Sequence, residues 1–400
     1  MPGGKASRGL LLTGGSGYVG GLITSTLLRC EDVDIVLPVR NLDRERFLAP
    51  IAAEVRLAGR ELDDEMIRRL HLVPLPPNER MGELNDVVAE FGVEEVIHCA
   101  GCLDYFNAGA LESANVELTR ALVEQSKQWP IRRFLYISTA FSSGYLFGVI
   151  PEALHTAPGK DPTDYTRTKR DAELIVAASG LPFLILRPAI IIGDSRDGHY
   201  SGKQYGLYQL WAGMERLLCR EWHPEMHVLA PRQPVQLVHQ DAFQSAFLAA
   251  YRHLPDQTIM NVVSDHAGLP DLRALWDLWL DACLHPRTTY YYERMSDIPL
   301  REINGKQRAL LALASVNLQI ASHPWRFETT TLDSLRQVGL EFPDATVNSV
   351  AACQDLFIHE SKTIQEYRAA YAHSFADEMT QIDIPPLPAA GGEEHVRDHV

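Results

Sequence analysis

Basic residues are in deficit. The 400-residue chain has 37 Lys and Arg against 52 Asp and Glu, a formal net charge of -15. Such a field repels nucleic acid and anionic lipid unless basic side chains cluster locally, so DNA or RNA binding is not expected. Cysteine is scarce as well. Cys30, Cys99, Cys102, Cys219, Cys283 and Cys353 are irregularly spaced, which makes no disulfide framework and suits a reducing compartment, the cytoplasm. Long apolar runs are missing: no uncharged stretch reaches the ~18 residues that a spanning helix needs, and the run from Leu184 to Ile192 is broken by Arg187 and Pro188. Lys5 and Arg8 before Leu10-Leu11-Leu12 look briefly like a signal peptide. The run stops at Thr13-Gly14-Gly15 without a cleavage-like site, so a first strand is the better reading. A soluble protein is expected, with room left for peripheral membrane contact.

What is present is ordinary globular composition, 46% hydrophobic and 22% charged, at a length that allows two or three units or one large α/β body with an appended lobe. From Gly9 to Arg187, short apolar or β-branched runs alternate with segments of helical period. The expected strands are Leu10 to Thr13, Asp34 to Val39, Leu70 to Pro74, Glu95 to Cys99, Phe134 to Ser138 and Phe183 to Arg187. Helices are expected over Tyr18 to Leu28, Arg44 to Arg69 in one or two pieces, Leu84 to Phe91, Leu111 to Gln128 and Asp164 to Ala178. This alternation predicts an α/β fold with a doubly wound parallel sheet of Rossmann type and a smaller, interleaved C-terminal substrate lobe. The division expected is a dinucleotide-binding body over 1–193, a lobe over 194–375 from which about 234–263 returns to the body, and a disordered tail over 376–400, rich in Pro, Gly and acid. Within the strand at Asp34 to Val39, Pro38 removes a ladder donor, and a local bulge is the expected accommodation.

In a doubly wound sheet, ligands lie beyond the carboxyl ends of the strands. Directly after the first strand, Gly14-Gly15-Ser16-Gly17-Tyr18-Val19-Gly20 opens an apolar helix. Glycine at 14, 17 and 20 permits a tight turn, close approach of a pyrophosphate to backbone N–H groups and near contact of helix and sheet. At the end of the second strand stand Arg40 and, one helical turn on, Arg44, with no acid there. A carboxylate at that place would bond a ribose 2′-hydroxyl and an arginine accommodates a 2′-phosphate, so NADP(H) is favoured over NAD(H). Cys99-Ala100-Gly101-Cys102 has C-x-x-C spacing but no second pair to complete a metal site. No metal is expected, and Ala100 and Gly101 are read as small residues passing beneath the dinucleotide.

Tyr165 and Lys169 lie four apart on one face of a helix. A free phenol is a reluctant acid–base group at neutral pH, and a neighbouring ammonium favours its phenolate form. Lys169 is expected to supply that cation and to hold the nicotinamide ribose hydroxyls. Ser138-Thr139, where the fifth strand ends, offers a hydroxyl for a substrate oxygen.

With these motifs together, the chain resembles an extended short-chain dehydrogenase/reductase over about Gly9 to Val263. The resemblance rests on the glycine loop, Val96 to Gly101, Asn115-Val116, Tyr136 to Thr139, Tyr165 with Lys169, Arg187 to Gly193 and Val235 to Asp241. It implies that Thr139, Tyr165 and Lys169 form a catalytic triad, that Pro188 and Ile190 lie beside the nicotinamide, and that Asn115 serves the backbone of the central helix. Within the superfamily the chain is most similar to the fatty acyl reductase and carrier-protein thioester reductase branch, through Cys102 to Phe106, Gly193-Asp194-Ser195 with Gly198, and Trp325-Arg326-Phe327. Pro74-Leu75-Pro76-Pro77 departs from the usual Gly-Asp-Leu adenine contact.

The expected function is therefore NADPH-dependent hydride transfer to a carbonyl, an acyl thioester of CoA or of an acyl carrier protein, giving aldehyde or alcohol. Tyr200, Tyr205, Tyr208, Trp211, Trp276, Trp279 and Tyr290-Tyr291-Tyr292 are candidates for an acyl pocket, with plain core packing the alternative for each. Arg287, Arg294, Arg301, Lys306 and Arg308 are candidates for a basic patch toward an anionic carrier or CoA. A ketone or hydroxysteroid-type reductase would share the catalytic residues. A nucleotide-sugar epimerase or dehydratase is less expected: dehydratases of this shape carry an Asp-Glu pair after the threonine, and here Ala140-Phe141 follow. A non-catalytic redox sensor would bind dinucleotide without needing Tyr165 and Lys169.

Overall fold

The computed structural model describes residues 8–156, 159–375 and 379–387. In chain order its strands are β1 (Arg8–Thr13), β2 (Val33–Val39), β3 (Leu70–Pro74), β4 (Val93–His98), β5 (Arg133–Ile137), β6 (Val149–Ile150), β7 (Phe183–Pro188), β8 (Ile190–Ile192), β9 (Glu225–Leu229), β10 (Leu237–His239), β11 (Thr258–Val262), β12 (Thr288–Tyr292), β13 (Arg326–Phe327) and β14 (Thr380–Ile384). Seven of them form one parallel sheet in the order β11-β7-β5-β4-β1-β2-β3. The near-continuous apolar runs of these strands are buried because helices cover both faces. Leu10 and Leu12 point into one core with the Tyr18–Cys30 and Gln240–His253 helices, and Leu11 points into the opposite core with Leu122 and Val176. This is the doubly wound α/β fold that the alternation predicts. Strand order reverses at β1, which lies between β2 and β4, and the crevice beyond their carboxyl ends is the ligand position of such sheets.

Several helices begin on side-chain caps that the sequence supplies, which fixes where each strand–helix loop ends. Asp43 and Asp63 cap the two pieces of the segment after β2, and Thr163 with Thr166 forms a capping box on the Asp164–Ala177 helix. Pro38 needs no bulge. The β2–β3 register runs unbroken through Pro38, and the β1–β2 pairing stops at Val36. Ile35 donates to Arg69 on the β3 side, so alternation turns the nitrogen of Pro38 toward β1, beyond the end of that ladder.

After β8 the chain interleaves. β10 pairs with β8 in a small parallel sheet, the Gln240–His253 helix returns to pack on Tyr18–Cys30, and β11 closes the edge of the large sheet. A second parallel sheet, β14-β12-β9, lies in the lobe. The expectation of a disordered tail from 376 is therefore wrong for β14: Ile382 and Ile384 alternate with polar residues and pair along β12. The rest of that segment, 376–378 and 388–400, lies outside the described residues. Tyr208, Trp211, Trp276, Trp279, Tyr291 and Tyr292 are in the lobe's hydrophobic core.

Candidate functional site

The glycine loop is a cradle with no room for side chains. Gly14 has φ +77°, and a Cβ there would lie 2.5 Å from the Ala100 nitrogen; at Gly20 it would meet the Gly14 carbonyl at 2.1 Å. Gly17 is the N-cap of the Tyr18–Cys30 helix, without a side-chain cap and with no acid in the first turn, so the first N–H groups of the helix are left for an anion. Ser16 and Gly17 are exposed at the crest, while Gly15 is buried against Leu37 and Val19 packs partly on the core. The Tyr18 hydroxyl donates to Gln240 Oε1 at 3.0 Å. A dinucleotide pyrophosphate fits this arrangement. Arg40 and Arg44 are both exposed just past β2, and Arg44 Nη2 donates to the Ile67 carbonyl at 3.1 Å.

Across the crevice, the loop after β4 is held by a relay of hydrogen bonds. Thr119 donates to the Asn115 carbonyl at 2.6 Å, so His98 Nε2 is the donor to Thr119 at 2.8 Å and Nδ1 accepts from Thr13 at 2.6 Å. The ring is neutral: burial, with Lys169 nearby, holds His98 down to about 3. Asn115 accepts from the Cys102 N–H at 2.7 Å and donates to Thr168 at 2.9 Å. Asn115 thus straps the Ala100–Cys102 loop to the Asp164–Ala177 helix; its side chain does not serve the central helix's own backbone, and it sits within a π turn, Glu112–Glu117. Burial pushes the Cys99 thiol up to about 12, and all six cysteines are free. Among the described residues no group of His, Cys, Asp or Glu is arranged to hold a metal ion.

Tyr165, Lys169 and Glu173 recur every four residues along one helix face. Lys169 is buried, its Nζ donates to the Ile137 carbonyl at 2.6 Å and lies 4.2 Å from the centre of the Tyr136 ring. Burial brings its ammonium down to about 8. The Tyr165 phenol is pushed up instead of down, first by burial and then by Tyr105, whose ring is 5.7 Å away. The expected lowering by Lys169 is absent, because the ammonium is turned to Ile137 and Tyr136. Ser138 and Thr139 separate in role: Ser138 donates to the buried carboxylate of Glu173, whereas the Thr139 hydroxyl has no hydrogen-bond partner among the described residues.

Tyr165 stands in the wall of a partly open apolar cavity lined by Tyr105, Phe141, Ile190, Leu210, Leu237, Leu275, Leu318 and Ile320, among others. Of its polar side chains, Thr166 donates to the Thr163 carbonyl at 2.8 Å and Asn317 to Gln209 at 3.2 Å, while the Tyr105 and Tyr165 hydroxyls make no hydrogen bond among the described residues. None of the aromatic residues from 200 to 292 expected to line a pocket does so here. Tyr208, Trp211, Trp276, Trp279, Tyr291 and Tyr292 fill the lobe core instead, Tyr205 is exposed, and aliphatic side chains make most of the wall. Pro188 ends β7, buried, and Ile190 faces the cavity beside Tyr165. Of the candidate basic patch, Arg294 pairs with Asp297 at 3.0 Å and Lys306 with Glu221 at 3.1 Å. Arg308 donates to the Leu300 carbonyl, Arg287 lies 5.1 Å from the centre of the Trp222 ring, and Arg301 is exposed. No helix among the described residues is long and apolar enough to cross a membrane.

Sequence reasoning did not find His98, Thr119 or Glu173. Only Glu173 had a local signal, its i+4 spacing from Lys169.

This fold and cradle define a dinucleotide-binding oxidoreductase whose cofactor is a pyridine dinucleotide. An NAD-binding family model described as male sterility protein matches residues 12–242, and the chain belongs to that family, within the extended short-chain dehydrogenases/reductases. Among curated proteins, peramine synthetase of Metarhizium majus is 27% identical over 206 residues, which is 47% of this chain and only 7% of that protein. Among solved structures, the terminal R domain of the myxalamid PKS-NRPS pathway superposes with a TM-score of 0.69 at 19% identity, covering 90% of this chain and 92% of that one. A thiolation-reductase di-domain of an archaeal non-ribosomal peptide synthetase gives 0.66 at 17% over 92% and 76%. UDP-glucuronic acid 4-epimerase from Bacillus cereus, in complex with UDP-glucuronic acid and NAD, gives 0.61 at 14% over 88% and 100%. At these identities the likeness is one of fold.

Proposed function

We propose that the chain is an NADPH-dependent reductase of acyl thioesters, carried on CoA or on a carrier protein, with Thr139, Tyr165 and Lys169 as its catalytic residues. The observation that carries the reading is Tyr165 in the wall of an apolar cavity, one turn before a buried lysine, at the carboxyl end of the sheet. The 14–20 loop would take the pyrophosphate, Arg40 and Arg44 an adenosine 2′-phosphate, Lys169 the ribose hydroxyls, and Ala100, Gly101, Pro188 and Ile190 the remaining faces of the coenzyme. When bound, the reduced dinucleotide supplies a hydride. Thr139 and Tyr165 hold the substrate oxygen, and Tyr165 gives its proton as negative charge develops there. Burial keeps that phenol protonated, which suits a donor. A thioester reduced once is a hemithioacetal, which releases thiol to leave an aldehyde; a second reduction gives the alcohol.

The names of the reductase-domain neighbours support a thioester over a ketone. The walls argue against a sugar nucleotide, whose hydroxyls would be buried against leucine and isoleucine without partners. The test is coenzyme oxidation with NADPH or NADH against a panel of apolar acyl thioesters, ketones and a UDP-sugar. Thioester turnover with NADPH preferred by about tenfold or more in kcat/KM is expected, a discrimination of ~1.4 kcal/mol. Tyr165→Phe should lose roughly 10²- to 10⁴-fold in kcat. Ketone turnover without thioester turnover would overturn the substrate assignment.

A further inference from the structure

Glu173 is fully buried, yet no reaction step needs a carboxylate there. Its nearest obligation is electrostatic: Arg187, 1% exposed, donates to it through Nε at 3.0 Å and Nη2 at 2.5 Å. Arg187 is completed by the Ala153 carbonyl at 2.9 Å and by His155 Nε2 at 3.2 Å. That pair alone would satisfy both charges. Two further donors converge on the same Oε1, however: Ser138 and, at 2.8 Å, Ser142. These serines bracket Thr139. The Ser142 N–H closes the turn onto the Thr139 carbonyl at 3.1 Å, and the residue before Ser138, Ile137, gives the carbonyl that holds Lys169 Nζ.

We propose that Glu173, itself pinned by Arg187, is a positioning residue that sets the 137–142 segment through Ser138 and Ser142, and thereby fixes both the Thr139 hydroxyl and the acceptor that orients Lys169. The inference rests on reading Thr139, Tyr165 and Lys169 as catalytic. Its physical basis is that one carboxylate oxygen receives three donors, two from the 137–142 segment on either side of Thr139 and one from Arg187 on β7, so their relative placement is fixed to hydrogen-bond tolerance. The segment is tied on both sides of Thr139, leaving that hydroxyl free to face a substrate. Tyr165, Lys169 and Glu173 share a helix face, so the same rigid element carries the proton donor, the ammonium and the anchor.

Glu173→Gln would set an amide N–H against Arg187 and tests folding as much as positioning. The informative variants are Ser138→Ala, Ser142→Ala and their combination, which keep the Glu173–Arg187 pair. With Tyr165→Phe as reference, steady-state kinetics at a temperature well below each variant's melting point are expected to give a double variant reduced about 10- to 100-fold in kcat, the scale of a small misplacement of reacting groups. Dinucleotide affinity, read by fluorescence titration, should fall by much less than kcat, since neither serine belongs to the 14–20 cradle and only the Lys169 contact is disturbed. A double variant with wild-type kcat, beside an inactive Tyr165→Phe, overturns the positioning role alone. A Tyr165→Phe enzyme of undiminished rate overturns the catalytic reading and the inference with it.

Discussion

Lys169 carries a charge in a place that resists charge. Burial draws its ammonium from 10.5 to about 8, against weaker opposition from Cys99 and Glu173. For activity, the cation is present below about 8 and lost above it, so kcat/KM should fall as pH rises through about 8, a limb that Lys169→Met abolishes together with roughly 10²-fold or more of the rate. For stability the sign is opposite to that of a salt-bridged lysine. Between about 8 and 10.5 the unfolded chain binds the proton more tightly than the folded one, so the destabilisation is full below about 8 and disappears as pH approaches 10.5. Lys169→Met should therefore melt above the wild type at pH 7, with the gap narrowing by pH 10, as thermal melts at both pH values would record. Gly14 is the second residue with little latitude. Its positive φ and the 2.5 Å approach to Ala100 mean that Gly14→Ala must shift the 98–102 loop. We expect at least tenfold weaker dinucleotide binding by fluorescence titration and a stability loss of ~1–3 kcal/mol.

At the scale of elements, the small β14-β12-β9 sheet ties the far end of the chain to the lobe. Arg273 is the rivet: it pairs with Asp383, donates to Gln381 at 2.9 Å, and lies 3.1 Å from the centre of the Tyr291 ring. Ending the chain after Phe375 removes β14 and leaves this arginine with Asp277 and Tyr291 only. Because Asp383 is largely exposed, the cost is modest, ~1–2 kcal/mol, visible as a lower denaturation midpoint without loss of dinucleotide binding. The strands and helices of the large sheet were legible to within a few residues, since each carries its own period and caps. Strands β9, β12 and β14 were not anticipated, being short and dependent on partners far away in sequence. Pro38 was misjudged for the same reason, because whether its missing donor matters depends on where a neighbouring strand stops.

At the scale of the whole molecule, the cavity is assembled from segments distant along the chain: Tyr165 and Ile190 line it together with Leu210, Leu275 and Ile320. Filling it should discriminate by chain length. Leu275→Trp is expected to raise KM for long apolar thioesters about tenfold or more while leaving the shortest substrates nearly unaffected, in parallel steady-state assays; one to two methylenes' worth of lost burial is enough for that factor. Equal impairment of short and long chains would place the acyl group elsewhere.

The amino-acid sequence determined the parallel sheet, the glycine cradle, the Tyr165/Lys169 pairing on one helix face and the arginines after β2 with no acid beside them at the strand's end, because each is a pattern within one or two adjacent elements and follows from backbone geometry. The tertiary structure alone decided which aromatics pack as core and which aliphatics line the cavity, that Glu173 gathers Ser138, Ser142 and Arg187, and that Lys169 faces Ile137 and Tyr136. Those are contacts between residues distant along the chain, where competition for burial and for hydrogen-bond partners chooses among side chains that local pattern leaves equivalent.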